Sequence, residues 1–341
     1  MSPAELAAAL KSRALEDGAD LAGIAAAAPA AGSEAYDEWV SAGMNATMDY
    51  MARNEACRRD IRAWLPSARS VLMCGFSYGG ADERGAAAPG EGVLARYAAR
   101  EDYHPLLKAK MASLLDWVRT VVPQTDGLPF CDTSPLLERS YALSAGLGWQ
   151  GKSAMLIAPR LGTYFLIAGL ALDRELPADS SAPDHCGSCR LCLDACPTDA
   201  FARERVLDAS KCIAYLTIEN RGPVPEALRP GVGNRIFGCD VCQEVCPWNR
   251  FEKRGRCLPE PSEPLVMPLE YLAGLDAESF RRRFRDLPVS RAKRRGLLRN
   301  VLLAMGNAGL PRFRPLLELF ADDPDKILSE QARWSLARLP V

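Results

Sequence analysis

Histidine is almost missing from this chain, with two in 341 residues, and aromatic residues make up only 7%. His104 has no second histidine nearby, so an imidazole-held metal is not expected there. An excess of charge of one sign is missing too. The net charge is −1 at pH 7, so nucleic acid could be attracted only by local patches. Long hydrophobic runs are absent: the longest, near Tyr164–Leu172, is about half of what a membrane span needs. The first residues, MSPAELAAALKSRALEDG, have no basic start followed by an apolar core, so a secretory signal is not expected. The remaining composition, 48% hydrophobic and 25% charged, is ordinary for a globular protein with room for two or three domains.

Cysteine, by contrast, is plentiful, and eight of the twelve lie between His185 and Trp248. The run Cys186-Gly-Ser-Cys189-Arg-Leu-Cys192-Leu-Asp-Ala-Cys196-Pro197 has the C-x2-C-x2-C-x3-C-P spacing of ferredoxins with a pair of 4Fe-4S clusters. In that arrangement three thiolates wrap one cubane, and the cysteine before proline crosses to the other. Cys239, Cys242 and Cys246 form a second run that lacks a fourth ligand, and the lone Cys212 supplies it. The expected sets are Cys186, Cys189, Cys192 and Cys246 for one cluster, and Cys196, Cys212, Cys239 and Cys242 for the other. Zinc prefers two separated C-x2-C pairs. A disulfide framework belongs to small secreted chains. Thiolate-held clusters favour a reducing compartment, so a cytoplasmic location is expected. Cys57, Cys74 and Cys131 lack ligand spacing and receive no metal role.

Before the cysteines the pattern is α/β. A helix is expected over 2–17, a buried strand over 21–25 and a helical segment over 34–52 broken near Gly43. A central strand is expected over 70–75, a mobile Gly/Ala-rich loop over 79–92 and a helix over 104–122. Leu128–Cys131 reads as a strand delivering Asp132 to a strand-to-helix turn, with the helix over 136–145. Asp132 reads either as the N-cap of that helix or as a carboxyl at the mouth of a cleft, able to move a proton. Gly146, Gly148 and Gly151 would let backbone approach a flat or phosphate-bearing ligand. That loop is neither a Walker loop nor a dinucleotide fingerprint. Strands are expected over 154–158 and 163–172.

After the cysteines, 258–268 reads as a linker. From Leu269 the pattern is helical, with apolar faces at Leu297, Leu298, Val301, Leu302 and Met305, at Phe313, Leu316, Leu317 and Phe320, and at Leu328, Ala332, Ser335, Leu336 and Leu339. Short helices between Gly/Pro turns suggest a HEAT-like array. Within it, 281–299 carries nine basic side chains against Asp286 alone. Such a run is usually a solvated face. Here it is also a candidate phosphate-binding strip of Arg281, Arg282, Arg283, Arg291, Lys293, Arg294, Arg295 and Arg299.

Several segments together resemble the epoxyqueuosine reductases. They are Arg96-Tyr97 with Asp102-Tyr103-His104, Asp132-Thr-Ser-Pro-Leu-Leu-Glu138-Arg139, Ala145 through Lys152, Cys212 through Glu219, Gly233 through Asp240, Cys246 through Arg250, and Arg299-Asn300. Gln150 and Ser153-Ala154 depart from the family's common Ile and Asn-Thr. The resemblance implies reduction of epoxyqueuosine to queuosine at the wobble position of tRNA, by a cobalamin fed with electrons from two 4Fe-4S clusters. It implies a fold relation to reductive dehalogenases. It implies Asp132 as proton donor, with a pKa raised by burial over the corrin, and cobalamin contacts at Arg96, Tyr97, Asp132, Trp149, Gly151, Lys152, Ser153, Thr217 and Asp240. Arg221, Arg229 and Arg235 join the basic strip as expected tRNA contacts. The implied layout is an α/β cobalamin-binding domain (1–177), a ferredoxin-like two-cluster domain (178–257) and a HEAT-like helical tRNA-binding domain (258–341). The implied partners are tRNA and an electron donor such as flavodoxin or ferredoxin, with the chain acting as a monomer. The competing expectations are a dehalogenase-like cobalamin enzyme on a small molecule and a plain two-cluster electron carrier.

Overall fold

The computed structural model describes residues 1–80 and 87–340. Its main elements run α1 (Pro3–Glu16), β1 (Leu21–Ala26), α2 (Ser33–Ser41), β2 (Ser70–Ser77), β3 (Glu91–Leu94), α3 (Tyr103–Val121), β4 (Gly127–Phe130), α4 (Glu138–Ser144), β5 (Phe165–Leu172), α5 (Ile213–Ile218), β6 (Arg235–Phe237), β7 (Val266–Pro268), α6 (Ala277–Phe284), α7 (Lys293–Ala308), α8 (Arg314–Ala321) and α9 (Lys326–Leu336). The first helix starts where the sequence places it. The Ser2 hydroxyl accepts from the Glu5 amide, the Glu5 carboxylate accepts from the Ser2 amide, and Pro3 occupies the first turn.

Four strands form an antiparallel sheet in the order β1-β2-β5-β4. Side chains alternate along a strand, and both faces here are covered, so β2 is buried along its whole length. Leu72, Cys74, Phe76, Ala168 and Leu170 face a core shared with α1 and α3. Val71, Met73, Phe130 and Ala171 face a core shared with α4. Gly169 is needed at its position, because a Cβ there would lie 2.2 Å from the Phe130 ring.

A second sheet has the order β6-β3-β7, with β3 parallel to β6 and antiparallel to β7. Val93 stands opposite both Arg235 and Val266. Beneath it, one apolar core gathers Leu94, Ala98, Ile236, Phe237 and Met267 with Leu297, Val301, Phe313 and Leu328 of the C-terminal helices. The sequence divisions after 177 and 257 therefore do not coincide with separate cores. The expected linker over 258–268 ends in a strand, β7, whose partner lies far away in sequence. The same pairing turns the end of the expected 79–92 loop into β3; residues 81–86 of that loop lie outside the described residues. Residues 42–53 are turns instead of helix, and the strand expected over 154–158 shrinks to Leu156–Ile157. The helical C-terminus buries the apolar faces that its spacing predicts, with Leu316 and Leu336 half-buried at their margins. Among the described residues no helix is long and apolar enough to cross a membrane.

Candidate active site and cluster ligands

Asp132 follows the end of β4 in the left-handed region, at φ 54°, a conformation that aspartate tolerates better than most residues. It does not cap α4, which begins six residues later at Glu138 with Leu137 at the cap. Its Oδ2 instead accepts from the Tyr103 hydroxyl at 3.0 Å and lies 2.9 Å from His104 Nε2. His104 Nδ1 is 2.5 Å from Asp102 Oδ1, and the same carboxylate caps α3 by accepting from the His104 amide. The Tyr103 and His104 rings stack at 4.1 Å. The start of α3 thus holds an imidazole between two carboxylates, Asp102 and Asp132.

The protein's own groups set the balance of charge at Asp132. Burial, the strongest single influence on Asp132, pushes its pKa up, but the hydrogen bond and charge of His104, with Tyr103 and Arg291, outweigh it and the net shift is downward. For His104, burial pulls down, yet hydrogen bonds and charge from Asp102 and Asp132 raise the ring from 6.5 to about 9. At neutral pH the exchangeable proton therefore sits on the imidazole beside an ionised Asp132. The Asp132 side chain is 60% exposed although protein walls surround it on several sides, as expected of a carboxylate at the mouth of an open cleft. Behind it, burial and then the Asp132 charge push Glu138 up to about 8. Sequence reasoning quoted Tyr103, His104 and Glu138 but gave them no role. The signal available was their place in the two motifs that converge here.

The inner wall of the cleft carries Tyr97, whose ring lies 6.3 Å from that of Tyr103 and 6.4 Å from that of Phe237. Asp240 is buried and accepts from the Arg96 amide at 2.8 Å. Arg96 pairs with Glu252 at 2.9 Å and lies 4.1 Å over the Tyr164 ring. Two concavities flank this pair. One of about 380 Å³ is lined by Ala95, Arg235, Gly238, Cys239 and Asp240, and one of about 420 Å³ by Arg96, Tyr164, Cys246, Asn249 and Arg250. The Tyr164 hydroxyl is buried without a hydrogen-bond partner among the described residues. A buried hydroxyl of that kind is costly unless something pairs with it. Polar side chains around open hollows on either side of Arg96 and Asp240 fit a corrin ring, whose edge carries amides.

Other expected cofactor contacts are placed differently. Thr217 is 1% exposed, and its hydroxyl donates to Ile213 O and accepts from the Gly238 amide. It holds the turn before Cys239 and has no face on the cleft. Trp149 packs edge-on to Trp248 and His185, beside Cys246 and Cys186. Lys152 pairs with Glu204 at 2.9 Å, Gly151 packs under Ile157, and Ser153 is buried. That loop serves the cluster side, because β-pairing of Trp149–Gln150 with Leu156–Ile157 turns it there.

The cysteines gather as two groups. Burial and then the charges of Cys246, Cys186 and Cys189 push the Cys192 thiol up, and Cys186 and Cys189 act likewise on Cys246. Cys212 senses Cys196, Cys239 senses Cys212, and Cys242 senses Cys239 and Cys212 and, across the two groups, Cys192. The short helices 191–194 and 241–244 pack together and send the cysteine before each proline across to the opposite group. None of the eight forms a disulfide. Among the described residues no three His, Cys, Asp or Glu side chains close around a single metal ion. Two looser groups of four thiols suit a cluster, which brings its own iron and sulfide, better than a zinc ion.

The basic residues divide sharply. Arg299 is 1% exposed and donates to Asn220 O, Gly222 O, Leu216 O and Asn300 Oδ1. Arg229 is 3% exposed, bonded to Val224 O and Glu330. Both anchor the C-terminal helices and neither offers its guanidinium to a nucleic acid. Arg235 faces the hollow beside Cys239, and Arg283 pairs with Glu263. Arg294 is half-buried and donates to Leu275 O at 2.7 Å. Arg221, Arg281, Arg282, Arg291, Lys293 and Arg295 are exposed. Arg221 donates to the carbonyls of Arg291 and Ala292, and Arg295 reaches Arg221 O. The Arg291 charge is felt at Asp132, so this part of the strip borders the acid cleft.

A proton-handling pair at the edge of an α/β sheet, joined to two tetrads of thiols, defines an iron–sulfur oxidoreductase. Residues 185–249 match the model for a 4Fe-4S double cluster binding domain, and residues 58–133 match the model described as Epoxyqueuosine reductase QueG, DUF1730. The chain is 36% identical to the epoxyqueuosine reductase of Xanthomonas campestris pv. campestris, over 98% of this chain and 97% of that one. It is 36% identical to the one from Pseudomonas aeruginosa, over 98% and 95%. A crystal structure of an epoxyqueuosine reductase with an epoxyqueuosine-modified tRNA-Tyr stem loop superimposes with a TM-score of 0.89 at 27% identity, covering 98% of this chain and 90% of that one. The chain belongs to the epoxyqueuosine reductase family.

Proposed function

We propose that the chain reduces epoxyqueuosine to queuosine at the wobble position of tRNA anticodons, the last step of queuosine synthesis. The carrying observation is that the His104–Asp132 pair and the exposed arginines Arg221, Arg291 and Arg295 border one cleft. The reaction takes two electrons and two protons, converts the epoxide carbons to an alkene and releases the oxygen as water. Asp132 stands at the cleft mouth as the group that hands a proton to the departing oxygen, and His104 refills it. Cobalamin, when bound, supplies a strongly reducing cobalt centre; Arg96, Tyr97 and Asp240 would hold it against the cleft. The thiols of Cys186, Cys189, Cys192 and Cys246, and of Cys196, Cys212, Cys239 and Cys242, would hold the two 4Fe-4S clusters that relay single electrons from a donor such as flavodoxin or ferredoxin.

On this reading the C-terminal helices are a HEAT-like array. Arg221 and, from those helices, Arg281, Arg282, Lys293 and Arg295 contact backbone phosphates, and the chain works as a monomer. The deciding experiment is nucleoside analysis of tRNA from a strain lacking the gene. Epoxyqueuosine should accumulate and be converted to queuosine when the gene is restored. Unchanged queuosine in that strain would overturn the proposal.

A further inference from the structure

We propose, resting on that reading, that Tyr50, Glu219 and Arg291 recognise the modified nucleoside itself: the Tyr50 ring stacks on its planar base, while Glu219 and Arg291 present an acceptor and a donor to the guanine-type hydrogen-bonding edge. The three come from distant parts of the chain. Tyr50 lies in the turns over 42–53, Glu219 follows α5, and Arg291 precedes α7. They meet at the Asp132 cleft. Arg291 donates to the Glu219 carboxylate, and Thr47, three residues before Tyr50, bonds to the Tyr215 hydroxyl one helical turn before Glu219; the charges of Glu219, Arg291 and Asp132 are felt at Tyr50, whose hydroxyl donates to Met48 Sδ at 3.2 Å.

The 42–53 turns are pinned, which is unusual for a segment without regular structure. Arg58, 8% exposed, donates to Tyr50 O and Arg53 O. Thr47 Oγ1 lies 2.7 Å from the Tyr215 hydroxyl of α5, the Ala209 amide donates to Met44 O, and Trp39 Nε1 donates to Leu207 O at 2.6 Å. The turns are thus tied to the cluster-bearing half of the molecule. Yet this rigid platform leaves the Tyr50 ring 41% exposed. A fixed, exposed aromatic ring beside an acid cleft is the arrangement that proteins use to stack an unpaired base.

The Glu219–Arg291 pair adds direction. The Glu219 side chain is 18% exposed and Arg291 is 48% exposed, so the acceptor is set back and the donor stands forward. A guanine-type edge carries N–H donors next to a carbonyl acceptor, which is the complement of a carboxylate next to a guanidinium. Arg221, donating to the Arg291 carbonyl, keeps the Arg291 backbone in place.

The test uses holoenzyme loaded with clusters and cobalamin, acting on an anticodon stem-loop that carries the substrate nucleoside. Tyr50→Leu should raise KM and the stem-loop Kd about tenfold or more, with a much smaller change in kcat. Tyr50→Phe keeps the ring and should recover most of that loss. Glu219→Gln should weaken binding of the modified stem-loop more than that of a stem-loop with adenine in the same place. Wild-type Kd and KM in Tyr50→Leu would overturn the proposal, as would a Tyr50→Phe variant as weak as Tyr50→Leu. Wild-type holoenzyme that neither binds nor reduces the stem-loop would instead refute the underlying function.

Discussion

Replacing His104 by glutamine tests how the proton reaches the substrate. In the native site the imidazole is raised from 6.5 to about 9, a preference for the charged ring worth roughly 3 kcal/mol and shared between Asp102 and Asp132. The same partnership holds Asp132 below its ordinary range. With glutamine at 104, the Asp132 carboxyl loses its positively charged neighbour, so its pKa rises. At pH 7.5 it must then draw each proton from solvent, and kcat/KM should fall about 100-fold. The pH profile should change shape as well. Wild type keeps a proton on the pair until the pH passes about 9, whereas the variant should lose activity at a lower pH. Stability follows linkage: the raised His104 stabilises the fold fully below 6.5 and loses that contribution as the pH rises through about 9. The depressed Asp132 stabilises above its ordinary value and loses its contribution as the pH falls through its lowered one. The assay is single-turnover reduction of the modified stem-loop across pH, with iron content and corrin absorption matched to wild type. A His104→Gln profile that superimposes on wild type would refute the relay.

Asp132→Asn, loaded with both cofactors, should lose turnover by 100-fold or more while keeping stem-loop affinity; wild-type turnover would remove Asp132 from the chemistry. Arg299→Met should destabilise the protein by about 3–5 kcal/mol, because three backbone carbonyls lose a charged donor inside the core; denaturant unfolding with an unchanged midpoint would contradict this. Cys212→Ser should lower iron from about eight to about four atoms per chain, removing one cluster and sparing the other, and the full complement of iron would reassign the fourth ligand. Arg221→Gln together with Arg295→Gln should flatten the salt dependence of stem-loop binding by about two charges; an unaltered slope would place the phosphates elsewhere.

The parts of the molecule legible in the sequence are those whose physics is local. Cysteine spacing fixes how a short loop can wrap a cluster, and the continuous apolar run of Val71 to Phe76 fixes a strand buried on both faces. Ser2, Pro3 and Glu5 announce a helix start. The misread residues depend on what a distant segment does. Arg299 sits in a basic run and reads as surface, but α7 is buried continuously from Leu297 to Gly306, and carbonyls of the 216–222 segment close around it. Thr217 looked like a cofactor contact because of its neighbours, whereas its hydroxyl serves the Gly238 amide. The imidazole facing Asp132 was not legible either, because His104 lies 28 residues away in the sequence. Tyr50 carried no signal at all, because nothing near it in sequence reveals that Glu219 and Arg291 stand beside it.

The small β6-β3-β7 sheet sets an order of events during synthesis. Val93 leaves the ribosome early and remains without its neighbours until Arg235 and then Val266 arrive. Residues Arg96 and Tyr97, directly after β3, are therefore not fixed until the last quarter of the chain is made. The wall that carries Arg96 and Tyr97 is completed only when the cluster segment and β7 are both present. A truncated product ending after Cys246 would contain every thiol yet lack β7, leaving β3 with one edge unpaired and open to association with other chains.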